Sequence, residues 1–351
     1  MKNLIFLFPL FLSTTLSAST IFDLLHAQSE VLEVRLEADF DHLFQQEGEN
    51  EKHPALFVWT DADGTEHEEL IKVKLRGKYR RQVCDFKPLM LKFSKKSLAR
   101  QGLSDHNDLK LVTHCTGSKL AGKSAVLREH LAYQLYAHLT PRSFRTQLLR
   151  ITYVNSRTHE RTRRWAMIIE DTDEMAERLG GVEMDDVMNL PANTVDLRQE
   201  QLMSVFQLMI GNQDYNLRSC RNVKYVFPHD GSPAIAVPYD FDFTGMVNAD
   251  YAVPNPNYPV VSIFDRVWLG RPATEQELSS ITAYLTHERK NLIALVDDYK
   301  LLQEEERQAI IDYLDSFYRI QTFSDLLDGK VAYYISSYVP KTLEGYRAAT
   351  E

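Results

Sequence analysis

The segment from Leu202 to Gly245 constrains the fold most, because it combines regular elements with charged loops in a fixed order. It begins with apolar residues that recur at helical spacing. A polar loop follows, and then two short apolar runs, Val223–Phe227 and Ala234–Val237, which are separated by a polar turn. The pattern predicts a helix, a loop and a β-hairpin, in that order.

Carboxylate and amide side chains occur at two points of this segment. The loop carries Asp214, Asn216 and Asn222, and the hairpin runs directly into Asp240 and Asp242. A loop Asp can orient an attacking hydroxyl, while an Asn and a second Asp can hold the magnesium ion that bridges phosphates. The order therefore predicts a phosphoryl-transfer site with Asp214 as the catalytic residue and the other four as metal ligands. Alternatively, these residues only form turns and caps, which Asp and Asn favour.

The first 19 residues have the pattern of a secretory signal peptide. Lys2 precedes the apolar run Leu4–Leu12, and small residues follow up to Ala18 and Ser19. The run is too short to span a bilayer. We therefore expect cleavage after Ala18 or Ser19, no transmembrane anchor after cleavage, and export to the periplasm or the extracellular space.

Charge and length restrict the remaining possibilities. The formal net charge is −9, whereas a nucleic-acid-binding protein needs a basic face, so we expect no nucleic-acid partner. Without the leader, about 330 residues remain, enough for one large domain or two packed lobes.

Three cysteines are present, and in an oxidising compartment two of them can form a disulfide. Cys84 and Cys115 both belong to the strand-rich part of the chain, which favours that pair and leaves Cys220 free. Three unpaired thiols are the alternative.

The region before residue 120 is predicted to be mostly β-structure, because short apolar runs alternate with turns. The predicted strands are Val31–Leu36, Ala55–Thr60, Leu70–Leu75, Pro88–Phe93 and Asp108–Cys115. A basic stretch that begins at Arg76 separates the third strand from the fourth. It predicts either a phosphate-facing loop or a solvated basic hairpin.

A long helix is predicted for Ser124–Leu139, in which leucines recur every four residues. Glu129 lies within a second apolar face of this helix, and a carboxylate in such a place requires a cation. Lys110, on the preceding strand, is the expected partner, because a strand lysine paired with a helix glutamate binds nucleotide phosphates in kinases. The alternative is a surface glutamate at the edge of the apolar face.

The rest of the chain continues with a hairpin and then several helices. The hairpin is formed by Thr146–Val154 and Arg164–Ile169, and it ends at Glu170, close to a helix predicted to begin near Glu174 and to be capped by the preceding Asp and Thr residues. The helices predicted towards the carboxyl terminus are Thr274–His287, Lys290–Leu302, Glu304–Ile320 and Phe323–Ser337.

Six stretches between residues 70 and 245, about half the chain, resemble a known family. They resemble the spore-coat protein H (CotH) group of atypical, protein-kinase-like proteins, and more closely an exported bacterial branch of that group. The stretches are LIKVKLRG (Leu70–Gly77), FKPLMLKF (Phe86–Phe93), LREHLAYQLY (Leu127–Tyr136), IIED (Ile168–Asp171), IGNQD (Ile210–Asp214) and PYDFDFTG (Pro238–Gly245).

The resemblance implies an α+β, protein-kinase-like two-lobed fold. A β-rich N-terminal lobe would span residues 20–170, and a helical C-terminal lobe, 171–351, would carry the Asp/Asn loop and the motif around Asp240. The implied activity is transfer of a phosphoryl or nucleotidyl group from ATP, with Mg²⁺ or Mn²⁺, to a protein or cell-envelope acceptor.

Specific residues match the motifs of the group. The resemblance implies that Asp214 is catalytic and that Asp240, with Asn222 or Asn216, binds the metal. Two features depart from the usual pattern: no basic residue directly follows Asp214, and Asn222 lies eight positions later. The residues expected to bind nucleotide are Arg76, Lys92, Lys110, Glu129 and Glu170.

Two other functions fit the same residues. Because of the departures from the motif, the chain could be a catalytically inactive, kinase-like binding module of the cell envelope. Asp240 and Asp242 also have the D-x-D spacing by which metal-dependent glycosyltransferases bind a nucleotide sugar. Against that alternative, the sequence has no upstream alternation of strands and helices typical of a doubly wound nucleotide-binding domain.

Overall fold

Seven strands from the first half of the chain form a closed barrel in the computed structural model, which describes residues 19–45, 51–184, 187–320 and 323–331. Buried and exposed positions tend to alternate along them, as expected for strands with one face towards a core. Their order around the barrel is β1-β2-β3-β4-β5-β7-β6. The strands are β1 (Val31–Ala38), β2 (His53–Thr60), β3 (Glu66–Leu75), β4 (Leu89–Lys92), β5 (Asp108–Val112), β6 (Thr146–Asn155) and β7 (Arg161–Ile169).

The barrel is closed by pairing between its first strand and a strand that lies far along the chain. β1 pairs in parallel with β6 along its whole length, from Val31 opposite Leu148 to Ala38 opposite Asn155. The other neighbouring pairs are antiparallel. Closure satisfies the backbone groups that the two edge strands of an open sheet would expose.

The expected protein-kinase-like two-lobed fold is therefore wrong: the structure is a mixed α/β fold with a closed seven-stranded barrel. The pairing of β1 with β6 joins what would have been the two edges of an open sheet. Nor is the part after residue 171 purely helical, because it contains a second sheet. Its strands are β8 (Gly181–Glu183), β9 (Val223–Pro228) and β10 (Ile235–Pro238).

The helices lie on two apolar clusters. One cluster joins inward-facing strand residues to α1 (Ile21–His26), α2 (Phe40–Gln45) and α4 (Lys95–Arg100). The other joins α5 (Lys119–Leu139), α7 (Leu197–Met209), α8 (Glu275–Asp298) and α9 (Glu304–Phe317). The short helices α3 (Arg80–Val83), α6 (Thr172–Arg178) and α10 (Phe323–Leu327) complete the set in the described ranges.

A buried ion pair connects α5 to the carboxyl-terminal helices. The Arg128 guanidinium lies 3.2 Å from Glu306, and both side chains are at most 5% exposed. The Ser124 hydroxyl, one turn earlier, donates to the same carboxylate. Because a buried charge needs a partner, these contacts fix α5 against α9.

Most predicted strands and helices are present, with ends that shift by a few residues. The two helices predicted between Thr274 and Leu302 are one helix, α8, because the residues around His287 include no Gly or Pro and favour helix. Part of the helix predicted to end at Ser337 lies outside the described residues, as does the predicted signal peptide up to residue 18. No helix in the described ranges is long and apolar enough to cross a bilayer.

The pairing of Cys84 with Cys115 is confirmed. Their sulfur atoms are bonded and their Cα atoms lie 4.5 Å apart. The bond joins the connection between β3 and β4 to the segment that follows β5. Cys220 is a free cysteine.

The barrel core gives a direct stability prediction. Leu32 on β1 is fully buried, whereas Leu70 on β3 is 78% exposed. We expect Leu32→Ala to lower the free energy of unfolding by about 2–5 kcal/mol through the lost contacts and the cavity left behind. Leu70→Ala, the matched control, should change it by less than about 0.5 kcal/mol. Urea unfolding measures both, and equal losses would contradict the assignment of these two faces.

Candidate functional site

Two glycines hold the Asp214 loop beside the segment that carries Asp240 and Asp242. Gly211 follows α7 with a φ of 68°, and Gly245 donates its N–H to the Gly211 carbonyl oxygen over 3.2 Å. A Cβ atom at Gly211 would lie 2.0 Å from the Tyr313 hydroxyl, and one at Gly245 would lie 2.4 Å from it. The close approach therefore requires glycine at both positions.

Asp214 is held by neighbours in its own loop. Its carboxylate pairs with the Arg221 guanidinium and accepts a hydrogen bond of 3.0 Å from the Asn222 amide, which also donates to the Asp214 carbonyl oxygen. Burial raises the pKa of Asp214, Arg221 opposes that rise, and the charge of Asp240 adds to it. Asp214 is thus oriented and is a stronger proton acceptor than an ordinary aspartate.

Asp240 lies just after β10 in a backbone conformation that favours glycine. Its φ is 63°, which costs a non-glycine residue about 1 kcal/mol or more. Its N–H donates a 2.8 Å hydrogen bond to the Tyr133 hydroxyl on α5. Tyr133 is four residues after Glu129, so this bond brings Asp240 to the face of α5 that carries Glu129.

Asp242 is 3% exposed and accepts a 2.9 Å hydrogen bond from the Tyr251 hydroxyl. Burial raises the pKa of Asp242 to about 7, the charge of Asp240 adds to the rise, and Arg80 opposes it. The carboxyl group therefore holds a proton over a range in which an exposed aspartate is ionised.

Glu129 is 2% exposed, and its Oε1 atom has no hydrogen-bond partner among the described residues. Burial raises the pKa of Glu129, and the charges of Asp242 and Asp240 add to the rise. Arg80 and Arg76 oppose it. We call Glu129, Asp214, Asp240 and Asp242 the acidic cluster.

Arg80 is the positive charge that most opposes the rise in the pKa of Glu129 and Asp242. Its guanidinium donates a 2.6 Å hydrogen bond to the Thr113 carbonyl oxygen and lies 5.4 Å from the centre of the Tyr251 ring. Burial lowers the pKa of Arg80, but nearby acidic groups, Tyr251 and Asp242 foremost, outweigh that effect and raise it. Arg80 begins α3, which ends beside the disulfide at Cys84.

Lys110 lies on β5, with its ammonium over two aromatic rings. Its Nζ atom is 5.1 Å from the centre of the Phe144 ring and 5.5 Å from that of Tyr239, and it donates to the Thr172 hydroxyl over 2.6 Å. Burial lowers the pKa of Lys110 to about 8, and the charges of Arg76 and Lys224 contribute. The expected Lys110–Glu129 ion pair is not present among the described residues: the Lys110 ammonium donates to Thr172, and Oε1 of Glu129 has no hydrogen-bond partner.

Three of the predicted site residues have other contacts. The Lys92 ammonium forms an ion pair with Asp108 at 2.5 Å. Glu170 is fully buried and accepts hydrogen bonds from two arginine side chains. Asn216 accepts hydrogen bonds from two backbone N–H groups of its own turn. These contacts give each of the three a structural role.

Several residues of the site were not identified from the sequence. For two of them a signal was present: Arg80 belongs to the basic stretch after β3, and Tyr133 follows Glu129 by four residues on one helix face. Loop residues that meet only in the folded chain gave no such signal. They are Arg221, Tyr239 and Tyr251.

The acidic cluster contains oxygen donors of the kind that bind metal ions. No group of three or more His, Cys, Asp or Glu residues in the described ranges, however, is placed so that it could hold a metal ion by itself. Mg²⁺ is commonly held by only one or two carboxylates, with water and phosphate as its other ligands. The free Oε1 atom of Glu129 and the partly exposed Asp240 offer hard oxygen donors, so the residues fit a magnesium ion that arrives with a phosphate ligand.

One cavity borders the acidic cluster at Asp214, and a second borders Lys224. The first has a volume of about 270 Å³ and is lined partly by Tyr79, Phe243 and Pro254. The second, of about 260 Å³, is lined partly by Met184, Met188 and Tyr225. Asp214 and Lys224 therefore each have space beside them.

Comparison with known proteins does not identify a family. No model of a known protein family matches the chain, and no curated protein is significantly similar to it. The resemblance to the CotH group depends on the six sequence stretches and stays a prediction.

Removing one charge from the acidic cluster should stabilise the protein in a pH-dependent way. A carboxyl group whose pKa rises on folding, from 3.8 to about 7 for Asp242, stabilises the folded state less as the pH rises through that range. We expect Asp242→Asn to raise the melting temperature at pH 8 by a few degrees, with a gain that shrinks towards pH 4.

Asp105, whose side chain is 74% exposed, provides the control. Asp105→Asn should leave the melting temperature nearly unchanged at both pH values. A lower melting temperature for Asp242→Asn at pH 8 would contradict the electrostatic account of the cluster.

Proposed function

We propose that the protein transfers a phosphoryl or nucleotidyl group from ATP to a hydroxyl of a protein or cell-envelope acceptor after export. One observation carries the proposal: the acidic cluster and the cationic side chains of Arg76, Arg80 and Lys110 influence one another in a single, partly buried region. Both the negative and the positive groups needed to bind a metal-bound polyphosphate are thus present together.

The cationic side supports a polyphosphate ligand. The charges of Arg76 and Lys224 both lower the pKa of Lys110. Lys224 is itself paired with Glu183 at 2.6 Å, so the uncompensated repulsion is chiefly that between Arg76 and Lys110. Like charges in a partly buried site repel, and an anion between them removes the repulsion. A chain of phosphate groups supplies several negative charges in a row.

The acidic side supports a divalent cation. Two carboxylates, Glu129 and Asp240, would hold it, and when bound the ion supplies charge neutralisation for the phosphates. Asp214 would accept a hydrogen bond from the acceptor hydroxyl and then its proton, a role for which its raised pKa is suited. Arg221 and Asn222 keep its carboxylate in position.

The two cavities suggest where the substrates bind. The cavity beside Asp214 would admit an acceptor side chain, since that residue lies on its wall. The cavity beside Lys224 combines apolar side chains with a cation and would admit the nucleotide base. In this proposal the phosphates would lie between the two cavities, near Asp240.

Two aspartate variants separate binding from chemistry. We expect wild-type protein to show a rise in melting temperature with ATP and Mg²⁺ or Mn²⁺, and Asp240→Asn to lose it because a metal ligand is missing. Asp214→Asn should keep the rise and lose turnover of labelled ATP. Asp105→Asn, on the exposed surface, should behave as wild type in both assays.

The same screen decides between the alternatives. A shift with UDP-sugars and Mn²⁺ but not with ATP would replace the proposal by glycosyl transfer. No shift with any nucleotide and metal would leave the binding-module function.

The role of Lys110 predicts how nucleotide affinity depends on pH. Because the pKa of Lys110 is about 8, its charge is lost as the pH rises through 8, and ATP affinity should fall between pH 7.5 and 9. Lys110→Met should bind ATP about tenfold more weakly at pH 7.5, the loss of one charge-assisted hydrogen bond, and show a flatter pH profile. Isothermal titration calorimetry measures both effects.

Lys92→Met is the matched control, because Lys92 forms an ion pair with Asp108 instead. It should keep the wild-type affinity and pH profile. Equal effects of the two substitutions would contradict the assignment of Lys110 to the phosphates.

A further inference from the structure

A second charged cavity lies at the beginning of the described chain. It has a volume of about 320 Å³, and Ser19, Thr20 and Ser104 form part of its wall. Charged side chains form the rest, and their network includes more carboxylates than guanidinium groups. The carboxylates are Asp23, Glu170, Glu174 and Glu177, and the guanidinium groups are those of Arg145 and Arg178.

Arg145 is fully engaged within this network. Its guanidinium lies 2.8 Å from Asp23, 2.7 Å from Glu170 and 2.7 Å from Glu174. Arg178 pairs with Glu170, which leaves Glu174 to share Arg145 with two other acids. Glu177 pairs with His106 at 2.7 Å. The network therefore carries excess negative charge at Glu174, which one more positive charge would neutralise.

Glu174 has one carboxylate oxygen without a partner. Its side chain is 4% exposed, and its Oε1 atom accepts hydrogen bonds from the Thr20 hydroxyl (2.8 Å) and from Arg145. Its Oε2 atom is buried and has no hydrogen-bond partner among the described residues. Burial raises the pKa of Glu174 to about 7, although the hydrogen bond from Thr20 opposes the rise. A buried carboxylate oxygen in this position lacks a donor.

The backbone at Ser19 and Thr20 indicates which group could be that donor. The Ser19 carbonyl oxygen accepts a hydrogen bond from Ser104 N–H over 3.0 Å. The Thr20 N–H donates to Asp23, and the Thr20 hydroxyl accepts from the Asp23 N–H, which forms the capping box of α1. Both polar atoms of the Ser19–Thr20 peptide are thus in use, and the nitrogen of Ser19 is the next polar group along the chain.

We propose that removal of the leader after Ala18 creates an α-ammonium group on Ser19, which binds in this cavity and pairs with Glu174. Hydrolysis of the Ala18–Ser19 bond by a leader peptidase consumes one water molecule. It leaves a carboxylate on Ala18 and an amine on Ser19, which takes up a proton near neutral pH. The ammonium supplies N–H donors and one positive charge.

The hydrogen bonds around this cavity favour Ser19 over Thr20 as the first residue of the mature chain. A chain that began at Thr20 would lack the carbonyl oxygen that accepts from Ser104 N–H. Its amino group would also be the nitrogen that already donates to Asp23 in the capping box. Cleavage after Ala18 keeps both hydrogen bonds and adds the new pair.

The pair would also connect maturation to the candidate site. Glu174 lies in α6, and the first residue of that helix, Thr172, accepts the hydrogen bond from Lys110. Pairing at Glu174 would therefore stabilise the helix that supports a proposed phosphate-binding residue. The proposal for the amino terminus itself depends on the predicted leader and not on the activity.

The test compares chains that differ only at the amino terminus. One form begins at Ser19 and ends at Glu351; the other carries two extra residues, Gly-Ser, before Ser19. We expect the form that begins at Ser19 to melt several degrees higher at pH 7. The difference should disappear when both forms carry Glu174→Gln and persist when both carry Glu177→Gln, because that neighbouring carboxylate is largely exposed.

Equal melting temperatures of the two forms would overturn the proposal, and so would a difference that survives Glu174→Gln. Two further measurements apply even if Glu174→Gln fails to fold. NMR should place the pKa of the Ser19 amine above its ordinary range of about 7.7–8.0, since pairing with a carboxylate favours the ammonium. Mass spectrometry of the exported protein should find Ser19 as the first residue. An ordinary amine pKa or another first residue would overturn the proposal.

Discussion

The candidate site depends on the interaction between the Arg80 guanidinium and the carboxylates around it. Asp240, Asp242 and Glu129 all contribute to raising the pKa of Arg80, and Arg80 in turn limits the rise in the pKa of Asp242 and Glu129. Arg80 and Arg76 offset the three carboxylates only in part, and burial together with the remaining negative charge raises the pKa of Glu129 and Asp242. Arg80 lies in the connection between the barrel strands β3 and β4, and Asp242 follows β10 of the second sheet, so the same interaction joins these two parts of the molecule. In the proposed function, such a site would exchange protons for a metal ion.

The barrel explains how groups distant in sequence reach this point. β3 and β5 supply Arg76 and Lys110 at or near their ends, and α5, which packs on β7, supplies Glu129. The disulfide between Cys84 and Cys115 joins the segment of Arg80 to the segment after β5. The pairing of β1 with β6 closes the sheet and leaves it no free edge. Burial of charge therefore requires a scaffold that holds the charged groups against mutual repulsion.

Local patterns in the sequence predicted local structure well, but apart from the Cys84–Cys115 disulfide they did not predict which distant segments pair. Alternating apolar residues predicted the strands from Val31 to Phe93, and the order of acidic residues predicted that Asp214 and Asp240 would be neighbours. The closure of the barrel was missed because β1 and β6 are more than a hundred residues apart, and parallel pairing leaves no turn motif. The sequence pairs Glu129 with Lys110 on the preceding strand, as in kinases. In the structure the positive charge that most lowers the pKa of Glu129 is that of Arg80, which only the folded chain brings close.

The most direct test of the central claim counts the protons displaced when a metal–nucleotide complex binds. Isothermal titration of the protein with Mg²⁺ and ATP at pH 7, in buffers of different ionisation enthalpy, gives that number. At this pH Lys110, with a pKa of about 8, is already mostly protonated, so release should come from the raised carboxyl groups of Glu129 and Asp242. We predict binding with net proton release. Absence of binding, or binding without proton release, would contradict the claim that these buried carboxylates form a metal–nucleotide site.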